Sequence, residues 1–291
     1  MSADAPTFDL QSHSRQSDGA LAPGEVVSAA AEAGVELLAL SDHDTIDGVA
    51  EALAAGQENG IRIVPAVEIS AIDEGKTDLH ILGYLVDHTD AQLAERLVSY
   101  RADREHRADR MADALRELGY ELDERPIQAR LEQGKSVGRP HLAQAAVGHP
   151  GNAERLESEG LTDPTAFLVE YLIEGKKAFR PRLHPTIEES IETIHDAGGV
   201  AVWAHPFWDI PEPEDVLEAI DRFRAFGIDG VEAFYATHDQ EQTDLLVDRC
   251  QELDLLTTGS ADYHGPEHRQ FNRFRAFSLY GHTPALGPIA G

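Results

Sequence analysis

Residues able to do chemistry recur in short, well-separated runs along this chain: Asp9-Leu-Gln-Ser-His13, Ser17-Asp-Gly19, Ser41-Asp-His-Asp44, Val67-Glu-Ile-Ser70, His80-Ile-Leu-Gly83, Ala204-His-Pro206 and Asp262-Tyr-His264. Nearly every run sets His, Asp or Glu at the end of an apolar stretch. Imidazole nitrogens bind first-row divalent cations, and carboxylates add charge and can bridge two ions. Gln11 and His13 stand two apart, as do Asp262 and His264; on extended backbone such a pair faces one side and can clasp one ion. His43 lies between Asp42 and Asp44, which are placed to orient its ring. One such residue alone means little. Seven runs that share a position in successive units point to one multinuclear metal site.

Shared position requires a scaffold that brings strand ends together. Residues 1–88 alternate apolar strands (Phe8–Leu10, Val35–Leu40, Ile61–Val67, Leu79–Val86) with helices over 23–33 and 47–59, closed at Gly34 and Gly60. Strand–helix alternation predicts parallel βαβ units, with ligands converging at the C-terminal strand ends. Residues 90–180 read as helices: a long charged one from Asp90 to Leu118, then shorter pieces over 125–133, 141–147 and 164–174. Alternation returns from Thr186-Ile-Glu-Glu189, a capping-box pattern. Strands follow over 200–204, 228–234 and 255–258, with helices between them. The expected organisation is an α/β barrel over 6–88 and 181–291, interrupted by a helical insertion over 89–180.

Composition narrows the partners. The 291 residues carry 53 Asp and Glu against 24 Lys and Arg, a formal net charge of -29. Binding along a nucleic-acid duplex needs a basic stripe that neutralises phosphates, and no basic run is present. Extended duplex binding is therefore not expected. A short phosphorylated end reaching a metal pocket is compatible with this charge. Lysine is scarce beside arginine, and so many hydrated carboxylates suggest solubility in high salt, a halophilic trait. The single Cys250 lies in a helical pattern and reads as a small buried apolar residue. No secretory leader and no apolar run long enough to span a bilayer is visible, so a soluble, cytoplasmic protein is expected.

Taken in order, these motifs resemble those of the PHP phosphoesterases, the family named for polymerase and histidinol phosphatase domains. The resemblance runs from Phe8 to His264. It implies a distorted (βα)7 TIM-like barrel holding two to three divalent metal ions (manganese, zinc or iron) at the C-terminal strand ends. By matching position it assigns Asp18, His43 and His264 to one metal, and Glu68, His80 and His205 to a second, with Glu68 bridging. His13, Glu68 and Asp262 would hold another, together with residue 11. The family has His there; this chain has Gln11, a neutral and poorer ligand for such ions. Two sites thus keep every ligand and one is altered.

The implied chemistry is phosphoester hydrolysis by a metal-activated water. The insertion after the His80 motif, the Gly138-Arg-Pro-His141 segment and the Thr186 helix most resemble 3′,5′-nucleoside bisphosphate phosphatases and RNase AM-like 5′→3′ exonucleases. Arg139 and His141 are candidates for gripping a substrate phosphate, because guanidinium pairs bidentately with phosphate oxygens; Arg180 and Arg182 are similar. His238 follows a strand and could line the pocket. Trp203 reads as core, whereas Trp208 could stack on a base or pack against the barrel rim. Two other readings stay open: a histidinol-phosphate or other small-molecule phosphomonoesterase, and a metal-poor interaction module that has lost its first ligand at Gln11.

Overall fold

The computed structural model describes residues 6–73, 76–132, 137–173, 175–180 and 184–291. Seven strands form one sheet in chain order: β1 (Phe8–Asp9), β2 (Leu37–Leu40), β3 (Arg62–Asp73), β4 (Lys76–Tyr84), β5 (Val200–Trp203), β6 (Gly230–Tyr235) and β7 (Leu256–Ser260). The first and last strands meet: Leu10 N–H donates to Gly259 O (3.1 Å), His13 N–H to Tyr263 O (2.8 Å), and Ser12 bridges Tyr263 in parallel. The ring of strands is thereby closed into a barrel.

The helices are α1 (Pro23–Glu32), α2 (Val49–Asn59), α3 (Ala91–Glu117), α4 (Glu124–Glu132), α5 (Arg139–Gly148), α6 (Ala153–Glu159), α7 (Pro164–Tyr171), α8 (Ile187–Asp196), α9 (Pro206–Asp209), α10 (Pro213–Ala225) and α11 (Gln240–Leu253). The chain divides into two compact units. Residues 1–98 with 185–291 make the barrel unit, and residues 99–184 make a helical one.

In the barrel unit the expected local signals are realised. Pro23 opens α1, Gly60 ends α2 in the left-handed conformation (φ 71°), and Thr186 caps α8 in a reciprocal box with Glu189. Helix α8 buries Ile187, Ile191 and Ile194. It lies so close to β4 that a Cβ on Gly83 would sit 2.7 Å from Ile194 Cγ1. Trp203 is buried against Phe223, and Cys250 is buried in α11. Among the described residues no helix is long and apolar enough to cross a membrane.

One expectation is corrected. The first strands do not continue as parallel units, because β4 runs antiparallel to both β3 and β5. The link between β3 and β4 is too short for a crossover, which needs a dozen or more residues, so the chain turns back as a hairpin. Strand β3 also continues through Glu68 to Asp73 rather than stopping at Val67. His80 therefore lies near the start of a reversed strand, paired with Ser70. Reversal brings it to the same end of the barrel that the parallel strands reach with their C-termini.

The helical unit has its own core, built on Met111, Leu115, Leu142, Phe167 and Leu172. Tyr120 crosses Phe167 edge-on, with ring centroids 5.0 Å apart, and the Arg155 guanidinium lies over the Tyr120 ring, 3.9 Å from its centroid.

Candidate metal centre

All eight carboxylate and imidazole positions singled out from sequence meet at one end of the barrel. His13 follows β1, Asp18 the adjoining loop, and His43 follows β2. Glu68 and His80 lie within β3 and β4, His205 follows β5, and Asp262 and His264 follow β7. Glu68 is the hub. Its Oε1 lies 2.7 Å from His80 Nδ1 and 3.4 Å from His205 Nε2, while its Oε2 lies 3.1 Å from His13 Nε2. His13 Nε2 is also 3.0 Å from Asp262 Oδ1. On the solvent side, Asp18 lies 3.5–3.7 Å from ring nitrogens of His13, His43 and His264.

Donor atoms within 4.8 Å of one another define three overlapping groups: His13, Asp18, His43 and His264; His43, Glu68 and His80; and His13, Glu68 and Asp262. The atoms themselves fit metal ions. Both ring nitrogens of His13, Nδ1 of His43 and of His205, and Oδ1 of Asp262 are buried with no hydrogen-bond partner. Buried polar atoms are rarely left so. His264 directs Nδ1 at the Asp262 carbonyl (2.7 Å), which fixes the proton there and leaves Nε2 as the donor facing Asp18.

Electrostatics leave some donors in binding form and others holding a proton. Burial lowers the His43 imidazole to about 4, so it is neutral near pH 7. Burial works to raise Glu68, but His43, His80, His13 and His205 around it hold the carboxylate well below its ordinary value. Burial also works to lower His13, yet Asp262 and Glu68 raise it well above the usual imidazole value. An ion there must displace a proton, so its occupancy depends on pH.

Local devices explain the motifs around the donors. Gly19 is required because the chain doubles back on itself: a Cβ there would lie 2.1 Å from the His13 carbonyl oxygen. Asp42 does not orient the His43 ring. Its carboxylate accepts from Ser14 N–H (2.7 Å), Ser14 Oγ (2.7 Å) and Ser17 Oγ (2.7 Å), bracing the loop that carries Asp18. Asp44 accepts from Ser70 N–H (2.9 Å), tying the β2 loop to β3. Asp44, His205 and Asp262 all hold positive φ (52°, 32° and 54°). Backbone strain of this kind gathers at functional sites.

Gln11 is buried and its amide is engaged at both ends. Nε2 donates to Glu68 Oε2 (2.8 Å), and Oε1 accepts from Ser260 Oγ (3.2 Å). The atom facing Glu68 carries hydrogens and no lone pair for an ion. To offer its oxygen there, the amide would have to turn over and give up its contact with Glu68.

Several residues of the site carry no sequence signal that distinguished them. Glu232, buried on β6, accepts from His205 N–H (2.9 Å), and its Oε1 lies 2.6 Å from Ser260 Oγ, whose single hydroxyl proton is shared between Glu232 and Gln11. Burial raises its carboxyl to about 8. A hydrogen-bonded chain thus runs from Glu68 through Gln11, Ser260 and Glu232 to the His205 backbone. Tyr235 donates to Asp262 Oδ2 (2.8 Å). A pocket of about 390 Å³ opens above the donors, lined also by Trp208, Tyr235, His268 and Phe271. His268 lies four residues beyond His264, a spacing that could have drawn attention to it.

The other sequence candidates sit on their own elements. His238 is buried with its Nδ1 on the Ala233 carbonyl (3.1 Å), packed against Tyr235 and Phe207 rather than lining the pocket. Arg139 opens α5 in the helical unit, and His141 Nδ1 accepts from Gly138 N–H (3.0 Å) in the first turn of that helix. Arg180 donates to the carbonyls of Lys177 (3.1 Å) and Phe179 (2.8 Å). Arg182 lies outside the described residues.

A family model for the PHP domain matches residues 9–151. The chain is 37% identical over 261 residues to a 5′-3′ exoribonuclease of Haemophilus influenzae, spanning 89% of this chain and 90% of that one. It is 31% identical over 282 residues to a 3′,5′-nucleoside bisphosphate phosphatase of Chromobacterium violaceum, spanning 97% and 93%. The solved structure of a predicted metal-dependent phosphoesterase from Bifidobacterium adolescentis superposes with a TM-score of 0.68 at 27% identity, over 92% of this chain and 91% of that one.

Proposed function

The chain belongs to the PHP domain family, and from that we propose that it is a metal-dependent phosphoesterase acting on nucleotides: 3′,5′-bisphosphonucleotides or the 5′-phosphorylated ends of short oligonucleotides. One observation carries the reading. Seven carboxylate and imidazole side chains line the floor of a single pocket with His13 buried against two of them, Glu68 and Asp262, and several of the buried donor atoms have no hydrogen-bond partner among the described residues.

Asp18, His43 and His264 would hold one divalent ion, and Glu68, His80 and His205 a second. His13, Glu68 and Asp262 would hold another weakly, beside Gln11. Bound there, divalent ions would neutralise phosphoryl oxygens and make water nucleophilic at neutral pH. Mixed imidazole and carboxylate donors suit manganese, zinc or iron. The chain's own part is positional: Glu68 joins the groups, and the protonated Nδ1 of His264 keeps Nε2 free. Asp42 steadies the Asp18 loop. Arg139 and His141 are the candidates for a substrate phosphate beyond the reacting one.

A nucleotide substrate is supported by the relatives named above, an exoribonuclease and a bisphosphate phosphatase. A net charge of -29 argues for short ends over duplex. The same excess of carboxylates favours a cytoplasm of high salt as the working environment.

The test is a substrate comparison with added manganese. Adenosine 3′,5′-bisphosphate or a 5′-phosphorylated dinucleotide should be hydrolysed well, and histidinol phosphate poorly. Turnover of histidinol phosphate alone would overturn the nucleotide assignment. A chain purified without chelators that carries no bound transition metal would overturn the metal-dependent one.

A further inference from the structure

Beside the donors, the pocket has a wall of a different kind. Trp208, Tyr235, His268 and Phe271 line it together with the carboxylates and imidazoles. Two of these rings, His268 and Phe271, form a ladder that leaves the metal-site residue His264. The His264 and His268 centroids are 5.2 Å apart at 30°, and those of His268 and Phe271 are 5.3 Å apart at 9°. The ladder is held in place, since His268 Nδ1 accepts from Phe271 N–H at 2.9 Å.

Trp208 faces the same space and is 51% exposed, whereas Trp203 is fully buried. Its aromatic neighbours cross it steeply: Phe271 at 5.5 Å and 61°, Tyr235 at 6.4 Å and 76°. Among the described residues no ring lies parallel to it. Its backbone is tied to the site, because the Trp208 main-chain N–H donates to the His205 carbonyl (2.9 Å) in the single turn of α9. An aromatic surface thus lines the pocket three residues from a candidate metal ligand.

We propose that Trp208, backed by the His268–Phe271 ladder, is a stacking platform for the nucleobase of the substrate, adjacent to the metal-binding floor that takes its phosphate. The inference rests on the nucleotide reading above and adds a determinant of substrate class to it. Stacking engages the π-face that every base presents, so it tolerates any base while favouring phosphate esters that carry one. A pocket of about 390 Å³ falls within the range of small-ligand sites, roughly 300–1,000 Å³. Polar groups on the floor and a planar aromatic at the rim match a ligand with a phosphate at one end and a flat ring at the other.

The experiment compares adenosine 3′,5′-bisphosphate with its abasic counterpart, 1-O-methylribose 3,5-bisphosphate, in wild type, W208A and W208F. For the nucleotide, W208A should raise KM by roughly 5- to 150-fold, the loss expected for one base–aromatic stack, with kcat within about twofold. The abasic compound should be turned over by wild type and W208A alike, and W208F should recover most of the nucleotide KM. Equal losses for both compounds, or no change for either, would overturn the platform.

Fluorescence gives a second arm that needs no turnover. Adenosine 5′-monophosphate should quench wild-type emission saturably, through the exposed indole, and leave W208F, which keeps only the buried Trp203, unquenched. Absence of quenching in wild type would overturn the platform by itself. Hydrolysis of neither compound by wild type would instead overturn the phosphoesterase reading, and the quenching arm would still decide the stacking one.

Discussion

Two sides of the same donor cluster are built differently. The outer group of Asp18, His43 and His264 faces solvent, with side chains 55%, 16% and 12% exposed. It comes from loops, and loop devices hold it: the close turn at Gly19 and the Asp42 brace on Ser14 and Ser17. The inner group of His13, Glu68 and Asp262 is almost wholly buried. It leans on the strands and on the hydrogen-bonded chain Gln11–Ser260–Glu232. The difference teaches how to read position 11. A side chain with unpartnered donors marks an ion's place, and one whose donor and acceptor are both engaged by protein acts as a strut.

The hardest test of that comparison removes the residue common to both sides. E68A takes the central carboxylate from two donor groups, so phosphoester hydrolysis should fall by about 10³-fold or more and bound metal should drop with it. Steady-state rates and elemental analysis measure both; substantial residual turnover would show that Glu68 is not the hub. The strut side is tested by E232A. This change leaves the His205 N–H without its acceptor in a buried space, while Ser260 keeps Gln11, and should destabilise the fold by about 1–3 kcal/mol. Urea denaturation near pH 5 reads this, because there the proton that the raised Glu232 carboxyl keeps on folding costs little, and an unchanged midpoint would mean that the chain of hydrogen bonds carries no weight.

A buried histidine outside the pocket sharpens the contrast with the donors. Burial depresses His238 from 6.5 to about 4 in the folded chain. A depressed pKa means that the unfolded chain binds the proton first. Stability present above pH 6.5 is therefore lost as pH falls through 4, to a total of about 3 kcal/mol. H238Q should lack this part of the acid sensitivity. Equal slopes of unfolding free energy against pH in the two proteins would refute it.

Much of this was legible in the sequence because apolar runs, glycine stops and the Thr186 capping box act locally. The donors stood at the ends of those runs, and the barrel brings the ends together. The reversal of β4 was not legible from the run His80-Ile-Leu-Gly83, since apolar patterning does not record strand direction; only the shortness of the turn after Asp73 does. Glu232 was missed for a related reason. In Val231-Glu-Ala-Phe-Tyr235 it reads as a polar residue on an alternating strand, and nothing local says that it faces inward to meet Ser260 and His205. Gln11 stood out only against the family's His, and its role as a strut depends on Ser260, 249 residues away.

Metal retention tests the central claim most directly. Wild type and Q11H, loaded with manganese and dialysed against metal-free buffer, would be compared by elemental analysis. Wild type should keep two ions per chain and Q11H three, since an imidazole replaces a strut with a donor at the weak site. Three tightly held ions in wild type, or no gain in Q11H, would contradict the account.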